Sequence, residues 1–152
     1  MIPLALSLLL TTAPQSQPTD TSGATRLEAC VDRETGDGRD GTACIGLISG
    51  PCQDLPGGSS TVGMVDCLRR EGDDWRTLLE RAMATTGAHP DLEPAAKRAL
   101  IRSQADWRRG VERSLAVYDG RDGTFWRVAR AGMDTDWTAR RYLWVRGLSA
   151  PF

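Results

Sequence analysis

The chain is short of several residue types on which enzyme active sites depend. Its 152 residues include one lysine (Lys97), one histidine (His89), two tyrosines and two phenylalanines. A lone histidine in a predicted turn, without a G-x-S-x-G motif, does not supply the base and nucleophile of a hydrolase. The neighbouring carboxylates Asp73 and Asp74 would point about 100° apart on a helix, so they do not flank one scissile bond. We expect no enzyme activity and no cofactor.

Long hydrophobic runs are also missing. The longest, residues 1–10, is well short of the roughly 20 residues that span a bilayer, but it has the length of a secretory signal core. We expect a signal peptide over residues 1–17 and a flexible lead-in over residues 18–29, which is rich in Ser, Thr and Gly. After removal of the signal, no membrane span remains.

A large excess of one charge is absent as well. The chain has 19 basic and 20 acidic residues, and the two signs alternate along the sequence. A nucleic-acid-binding domain is expected to carry a basic patch or stripe, so we expect no nucleic-acid partner.

Four cysteines, and no others, lie within 38 residues: Cys30, Cys44, Cys52 and Cys67. An even number behind an export signal predicts two disulfides and a periplasmic or secreted location. Zinc sites usually contain cysteine pairs two to four residues apart, and no such pair occurs here, so we expect no metal site. Three connectivities are open. We expect the sequential pairing, because it closes two short loops.

The pattern changes near residue 59. Residues 30–58 are rich in Gly and Pro and predict a loop-rich arm held by the disulfides. Residues 59–152 predict three amphipathic helices, beginning near Ser59, Asp91 and Thr124. The predicted fold is therefore all-α, a small antiparallel three-helix bundle that forms one domain with the arm. Most of the five tryptophans are expected to be core anchors.

The apolar stripes of these helices can be read from their 3/4 spacing. The first comprises Val65, Leu68, Gly72, Trp75, Leu79 and Ala82. The second comprises Leu100, Gln104, Trp107, Val111, Leu115 and Tyr118. The third comprises Trp126, Ala129, Met133, Trp137, Trp144 and Leu148, widened by Phe125, Val128 and Val145.

Gln104 is the polar exception on the second stripe. A half-buried amide needs hydrogen-bond partners, such as a neighbouring helix backbone or the indole N–H of Trp107 or Trp75. A structural hydrogen bond that fixes the helix register is the favoured interpretation, and a ligand contact is the alternative.

The charges are unevenly distributed. Residues 14–58 carry seven acids and three arginines, a net charge of −4, whereas the rest of the chain has a net charge of +3. The candidate partner-binding residues are the acids of the arm: Asp32, Glu34, Asp37, Asp40 and Asp54. Their spacing lacks the glycine and the closing glutamate of a calcium loop.

The order of several short motifs resembles the LprI-type lysozyme-inhibitor domain of bacterial envelope proteins. The motifs are Cys52, Gly57-Gly58, Thr61-Val-Gly-Met64, Cys67, Trp75, Leu78-Leu79, Gln104-x-x-Trp107 and Thr138-Ala-Arg140-Arg-x-Leu143. The resemblance implies a small exported helical domain in which Trp75, Gln104, Trp107, Thr138 and Arg140 belong to a structural motif. Leu115 and Met133 stand where the family has a cysteine pair, which marks this chain as a divergent member.

Two functions are candidates, and the resemblance implies only the first. The first is binding and inhibition of lysozyme. Typical lysozymes are strongly basic, so the acidic arm would be the contact surface. The second is a periplasmic adaptor or structural module that holds another envelope protein or peptide on the tryptophan-bearing face of the helices.

Overall fold

The structure, a computed structural model, describes residues 22–148, which are helical and contain no strand. The elements are α1 (Gly23–Gly36), a short 3-10 helix (Thr42–Cys44), α2 (Ser49–Gln53), α3 (Thr61–Ala88), α4 (Pro94–Asp119) and α5 (Thr124–Gly147). The prediction of an all-helical, disulfide-bonded protein is thus confirmed. The predicted signal peptide lies outside the described residues. Within residues 22–148, none of the helices combines the length and the apolar character needed to cross a bilayer.

Helix α1 was not predicted. The Oγ of Ser22 caps it by accepting a hydrogen bond from the N–H of Thr25 at 3.3 Å. Ala24, Leu27 and Val31 follow at helical spacing and are buried. The predictions of a flexible lead-in and a loop-rich arm are therefore wrong over Gly23–Gly36, because this segment has an apolar face that packs into the core.

Helices α3 and α4 agree with their predicted stripes. Ser60 caps α3 through the N–H of Gly63, and Val65, Trp75 and Leu79 are buried on its inner face. In α4 the buried residues are Leu100, Gln104 and Leu115. Pro94 occupies the first turn of α4, where its missing N–H costs no helical hydrogen bond.

Helix α5 buries a face that shares only Val145 with the predicted one. Its buried residues are Ala131, Thr135, Thr138, Ala139, Tyr142 and Val145. Phe125 and Trp144, which were expected in the core, are 69% and 47% exposed. Thr124 is not the cap of α5, because Gly123 occupies the N-cap position and no side chain bonds there.

The close approach of α3 and α5 explains this change of face. A Cβ atom placed on Gly72 would lie 3.0 Å from the Oγ1 of Thr135. That hydroxyl lies 2.9 Å from the carbonyl oxygen of Leu68 on α3 and 3.0 Å from that of Ala131, either of which can accept its proton. A tryptophan opposite Gly72 would push the helices apart, so a small residue, Thr135, lies there.

The main core is built from the arm as well as from the long helices. Its buried members are Ala24, Leu27, Cys30, Val31, Cys44, Ile48, Trp75, Leu78, Leu79, Ala139, Tyr142 and Val145. They come from α1, the 3-10 helix, the residue before α2, α3 and α5. Helix α4 packs chiefly against α5. Of the five tryptophans only Trp75 is buried, so the prediction that most are core anchors is wrong.

Candidate partner-binding surfaces

Two disulfides fix the arm to the helices. Cys30 is bonded to Cys44, and Cys52 is bonded to Cys67, with Cα–Cα distances of 6.0 and 5.7 Å. The expected sequential pairing is confirmed. Each bridge closes a loop of about 15 residues, which in the chain-entropy model stabilises the fold by about 3 kcal/mol. The first bridge ties α1 to the 3-10 helix, and the second ties α2 to α3.

A buried carboxylate forms a third link, which the sequence analysis missed. Glu71 is 0% exposed, and its Oε2 accepts hydrogen bonds from the N–H groups of Ile48 and Ser49 at 3.1 and 2.7 Å. Its Oε1 accepts from the N–H of Gly46 at 2.7 Å and from the indole N–H of Trp75 at 3.0 Å. Four donors satisfy one carboxylate, and three of them belong to the arm. We call this arrangement the Glu71 clasp.

The sequence did contain a signal for the clasp. Glu71 precedes Gly72 on the apolar stripe of α3 and lies four residues, one helical turn, before Trp75. An acid beside a core stripe is expected to have partners, and a Gly- and Pro-rich arm supplies free backbone N–H groups. The partners themselves lie 22–25 residues away in the chain, which no local pattern reveals.

Four of the five arm acids that were predicted to bind a partner have partners within the protein. The carboxylate of Asp32 pairs with Arg146 at 2.6 Å. Glu34 and Asp37 share the guanidinium of Arg39. The hydrogen bonds from Arg39 lower the pKa of Glu34, so this carboxylate stays charged in mild acid. The arm therefore presents less free negative charge than its composition indicates.

The fourth paired acid, Asp40, lies beside α5. Its Oδ1 accepts from the N–H and the Oγ1 of Thr42 at 2.9 and 2.6 Å, and the hydroxyl bond is the main cause of its lowered pKa. These two residues and the α5 residues Arg140, Leu143 and Trp144 line a recess of about 330 Å³. Two predicted residues, Asp40 and Arg140, are thus brought together here. We call this the Asp40 recess.

Asp54 is placed apart from the other acids. It is exposed beyond the end of α2, and within residues 22–148 its carboxylate has no hydrogen-bond or ion-pair partner. The structure does not join it to the Asp40 recess.

The residues of the predicted structural motif serve packing. Trp75 is fully buried against Tyr142, with ring centroids 5.6 Å apart. The Oγ1 of Thr138 donates to the carbonyl oxygen of Asp134 within α5. Arg140 pairs with Asp136 one turn before it, at 2.8 Å.

Gln104 has a partner that the sequence analysis did not name. It is 8% exposed, and its Oε1 accepts from the Nε of Arg141 at 2.9 Å. The guanidinium of Arg141 also lies 4.3 Å from the ring centre of Trp144 and 5.7 Å from that of Trp107. The expected helix-to-helix hydrogen bond is present, but the Nε2 of Gln104 has no partner among the described residues.

A larger groove lies at the opposite, N-terminal end of α5. Its volume is about 680 Å³, and it is formed by the first turns of α3, the α4–α5 turn and the first turns of α5. Its charged lining residues are Asp66, Arg69, Asp119, Arg121, Asp122, Arg127 and Arg130. Tyr118 and Trp126 supply its aromatic surface, with ring centroids 6.1 Å apart. We call this the arginine groove.

Comparison with known families shows the family of the chain. The family model described as Lysozyme inhibitor LprI matches residues 52–144, which is more than half of the sequence. The chain belongs to the LprI lysozyme-inhibitor family. Comparison with curated proteins gave no match, and comparison with solved structures gave none either.

The LprI match covers the arginine groove completely and the Asp40 recess in part. Among the five arm acids, only Asp54 falls inside the matched residues. Glu71 and all the residues that line the arginine groove also fall inside them. The Asp40 recess combines both parts, because Arg140, Leu143 and Trp144 belong to the LprI region and Asp40 does not.

Proposed function

We propose that this LprI family member is an exported, non-enzymatic protein of the bacterial envelope that binds and inhibits a lysozyme. The family match supports inhibition. The two disulfides support an oxidising compartment such as the periplasm or the exterior, because thiols are kept reduced in the cytosol. The apolar N-terminus agrees with export.

We further propose the Asp40 recess as the contact with lysozyme. The observation that carries this step is a charged carboxylate fixed beside an exposed tryptophan, Trp144, on an arm that the clasp and two disulfides hold in place. A preorganised acid and a tryptophan together suit a basic partner, since tryptophan is enriched among the residues that dominate binding energy.

The test is a cell-wall lysis assay with several lysozymes at low and at high salt. Inhibition is expected at micromolar protein, with a loss of potency as salt screens the charges. Asp40→Asn, which keeps an oxygen for the N–H of Thr42, and Trp144→Ala are each expected to weaken inhibition about tenfold. Asp106→Asn removes the same charge from an exposed position on α4 that does not line the recess, and it is the matched control.

The outcomes separate the function from the surface. If the intact protein leaves every lysozyme unaffected at low salt, inhibition is wrong. If it inhibits but Asp40→Asn and Asp106→Asn behave alike, the function stands and the recess is the wrong surface.

An envelope adaptor remains the second candidate. The observation that favours it is the arginine groove, which offers exposed aromatic and cationic side chains in a concave surface inside the LprI region. Pull-down from periplasm would distinguish the two candidates by the identity of the co-purifying protein.

A further inference from the structure

The arginine groove has the size and shape of a ligand site. Its volume of about 680 Å³ falls within the range of about 300–1,000 Å³ that is typical of small-ligand pockets. Two segments that are distant in the sequence, residues 61–69 and 118–131, form it, so its geometry depends on the packing of the folded helices and not on the α4–α5 turn alone.

Most of the groove's cationic groups are not neutralised by a carboxylate. Among the described residues, Arg69 and Arg127 have no hydrogen-bond or ion-pair partner. Arg121 lies over the ring of Trp126 at 4.3 Å from its centroid and has no acidic partner. Only Arg130 is paired, with Asp119 at 2.7 Å. Three guanidinium groups are thus available for bidentate hydrogen bonds to carboxylates.

Apolar side chains accompany these cations. Val62 lines the groove and is 70% exposed. The ring of Phe125 packs edge-on against Trp126 at 5.0 Å between centroids and is itself mostly exposed. Tryptophan, tyrosine and arginine are the residues enriched among those that dominate binding energy, and the exposed valine and phenylalanine add apolar surface beside them.

The acids of the groove narrow the class of ligand. Asp66 and Asp122 have no partner among residues 22–148, and Asp119 is near them. The two unpaired carboxylates, Asp66 and Asp122, would repel a polyphosphate, because its closely spaced charges could not be placed away from both of them. A peptide with separated carboxylates and apolar side chains can place each group opposite its complement. The groove therefore favours an acidic peptide over a nucleic acid or another polyanion.

We propose that the arginine groove binds an acidic peptide segment of a partner protein, with carboxylates on Arg69 and Arg127 and apolar side chains on Val62 and Trp126. This site is separate from the Asp40 recess and does not rest on lysozyme inhibition. A basic protein such as lysozyme would be the wrong partner for this groove, since three of the groove's four arginines have no acidic partner among the described residues. The protein would then hold two partners of opposite charge on two surfaces.

The experiment uses a fluorescein-labelled hexapeptide of alternating glutamate and leucine, with fluorescence anisotropy as the readout. The same peptide with glutamine or lysine in place of glutamate, and unlabelled heparin as a competitor, are the comparison ligands. Binding of the glutamate peptide is expected below about 100 μM, with at least tenfold weaker binding of both substituted peptides.

Variants locate the binding. The double variant Arg69→Gln/Arg127→Gln and the single variant Val62→Ser are each expected to weaken binding at least fivefold. The matched control is Arg98→Gln/Arg102→Gln, which removes two exposed, unpaired arginines from the other end of α4. It is expected to change the affinity less than twofold. Circular dichroism checks that each variant is folded.

Three outcomes would overturn the proposal. The glutamate peptide shows no binding at about 1 mM, or both arginine double variants weaken it equally, or heparin binds more tightly than the peptide and depends on the same two arginines. The last outcome would assign the groove to polyanions instead.

Discussion

The Glu71 clasp makes the sharpest prediction about stability. In Glu71→Gln, one of the two carboxylate oxygens becomes an NH₂ group. Each oxygen accepts two hydrogen bonds, so either orientation of the amide leaves two N–H donors facing another donor. With Oε2 replaced, the N–H groups of Ile48 and Ser49 lose their acceptor, and with Oε1 replaced, those of Gly46 and Trp75 do.

The size of the effect follows from burial. A buried donor without a partner costs about 1–3 kcal/mol, and removal of a buried charge offsets part of that cost. We expect Glu71→Gln to lower the free energy of unfolding by about 3 kcal/mol, which is a large share of the roughly 5–15 kcal/mol of an ordinary domain. For a domain of this size the midpoint of thermal unfolding should fall by about 10 °C.

Urea unfolding, followed by circular dichroism, measures this difference. The matched control is Glu80→Gln, since Glu80 lies on the same helix, is exposed and has only a long ion pair with Arg108. Amide hydrogen exchange adds a local readout. The amides of Gly46, Ile48 and Ser49 should exchange faster in Glu71→Gln than those in the centre of α3. If both variants lie within about 0.5 kcal/mol of the natural protein, the clasp does not hold the arm and the reasoning is refuted.

Three further predictions concern single sites. Burial raises the pKa of Asp74, so this side chain contributes most to stability at low pH, and the contribution is lost as the pH rises through that pKa. The stability of Asp74→Asn relative to the natural protein should therefore increase between about pH 3 and about pH 7. A difference between the two proteins that stays constant with pH in urea melts would contradict this prediction. Gln104→Glu replaces the unpartnered Nε2 by an oxygen beside Arg141 and should raise the free energy of unfolding by about 1 kcal/mol at neutral pH. A loss of stability would contradict this and would mean that desolvation of the new carboxylate outweighs its pairing with Arg141. Gly110→Ala, whose new Cβ meets no atom within 4 Å, should raise the free energy of unfolding by about 1 kcal/mol through helix propensity. Gly72→Ala should gain less or lose stability, because its Cβ meets Thr135 of α5. Equal gains would mean that α3 and α5 move apart at little cost.

How far the sequence predicts the fold depends on how local the signals are. The stripe of α3 and the start of α4 follow from apolar spacing and a proline in the first turn, and these were found correctly. Helix α1 has the same kind of signal in Ala24, Leu27 and Val31, but it was missed because the segment was judged by its glycines and small polar residues. Composition was the wrong guide, since three apolar residues at the right spacing are enough to bury a helix face.

The orientation of α5 could not be predicted from hydrophobicity. Its most apolar face contains tryptophans, and a rule that buries the largest rings places that face inward. The structure buries Thr135, Thr138 and Ala139 instead, because at Gly72 the two helices approach so closely that only a small side chain, that of Thr135, fits. Farther along the same pair of helices there is room for Tyr142 to pack against Trp75. How closely two helices pack depends on the side chains of both, so the sequence of α5 alone does not reveal which of its faces is buried. The same shift leaves Phe125 and Trp144 available at the two candidate surfaces.

Two links join the arm to α3 and one joins it to α1, and they decide whether two surfaces can act together. The Cys52–Cys67 bridge and the clasp both join the segment around α2 to α3, and Cys30–Cys44 joins the start of that segment to α1. The segment therefore cannot shift along α3 without breaking a covalent bond or leaving buried donors unpaired. The Asp40 recess joins this arm to α5, and the arginine groove joins α5 to the start of α3, so both surfaces share one rigid frame. A partner bound at one surface is then held in a fixed direction from the other. We expect binding at either surface to leave the affinity of the other unchanged, because coupling needs two arrangements of the frame with different affinities, and the disulfides and the clasp favour one.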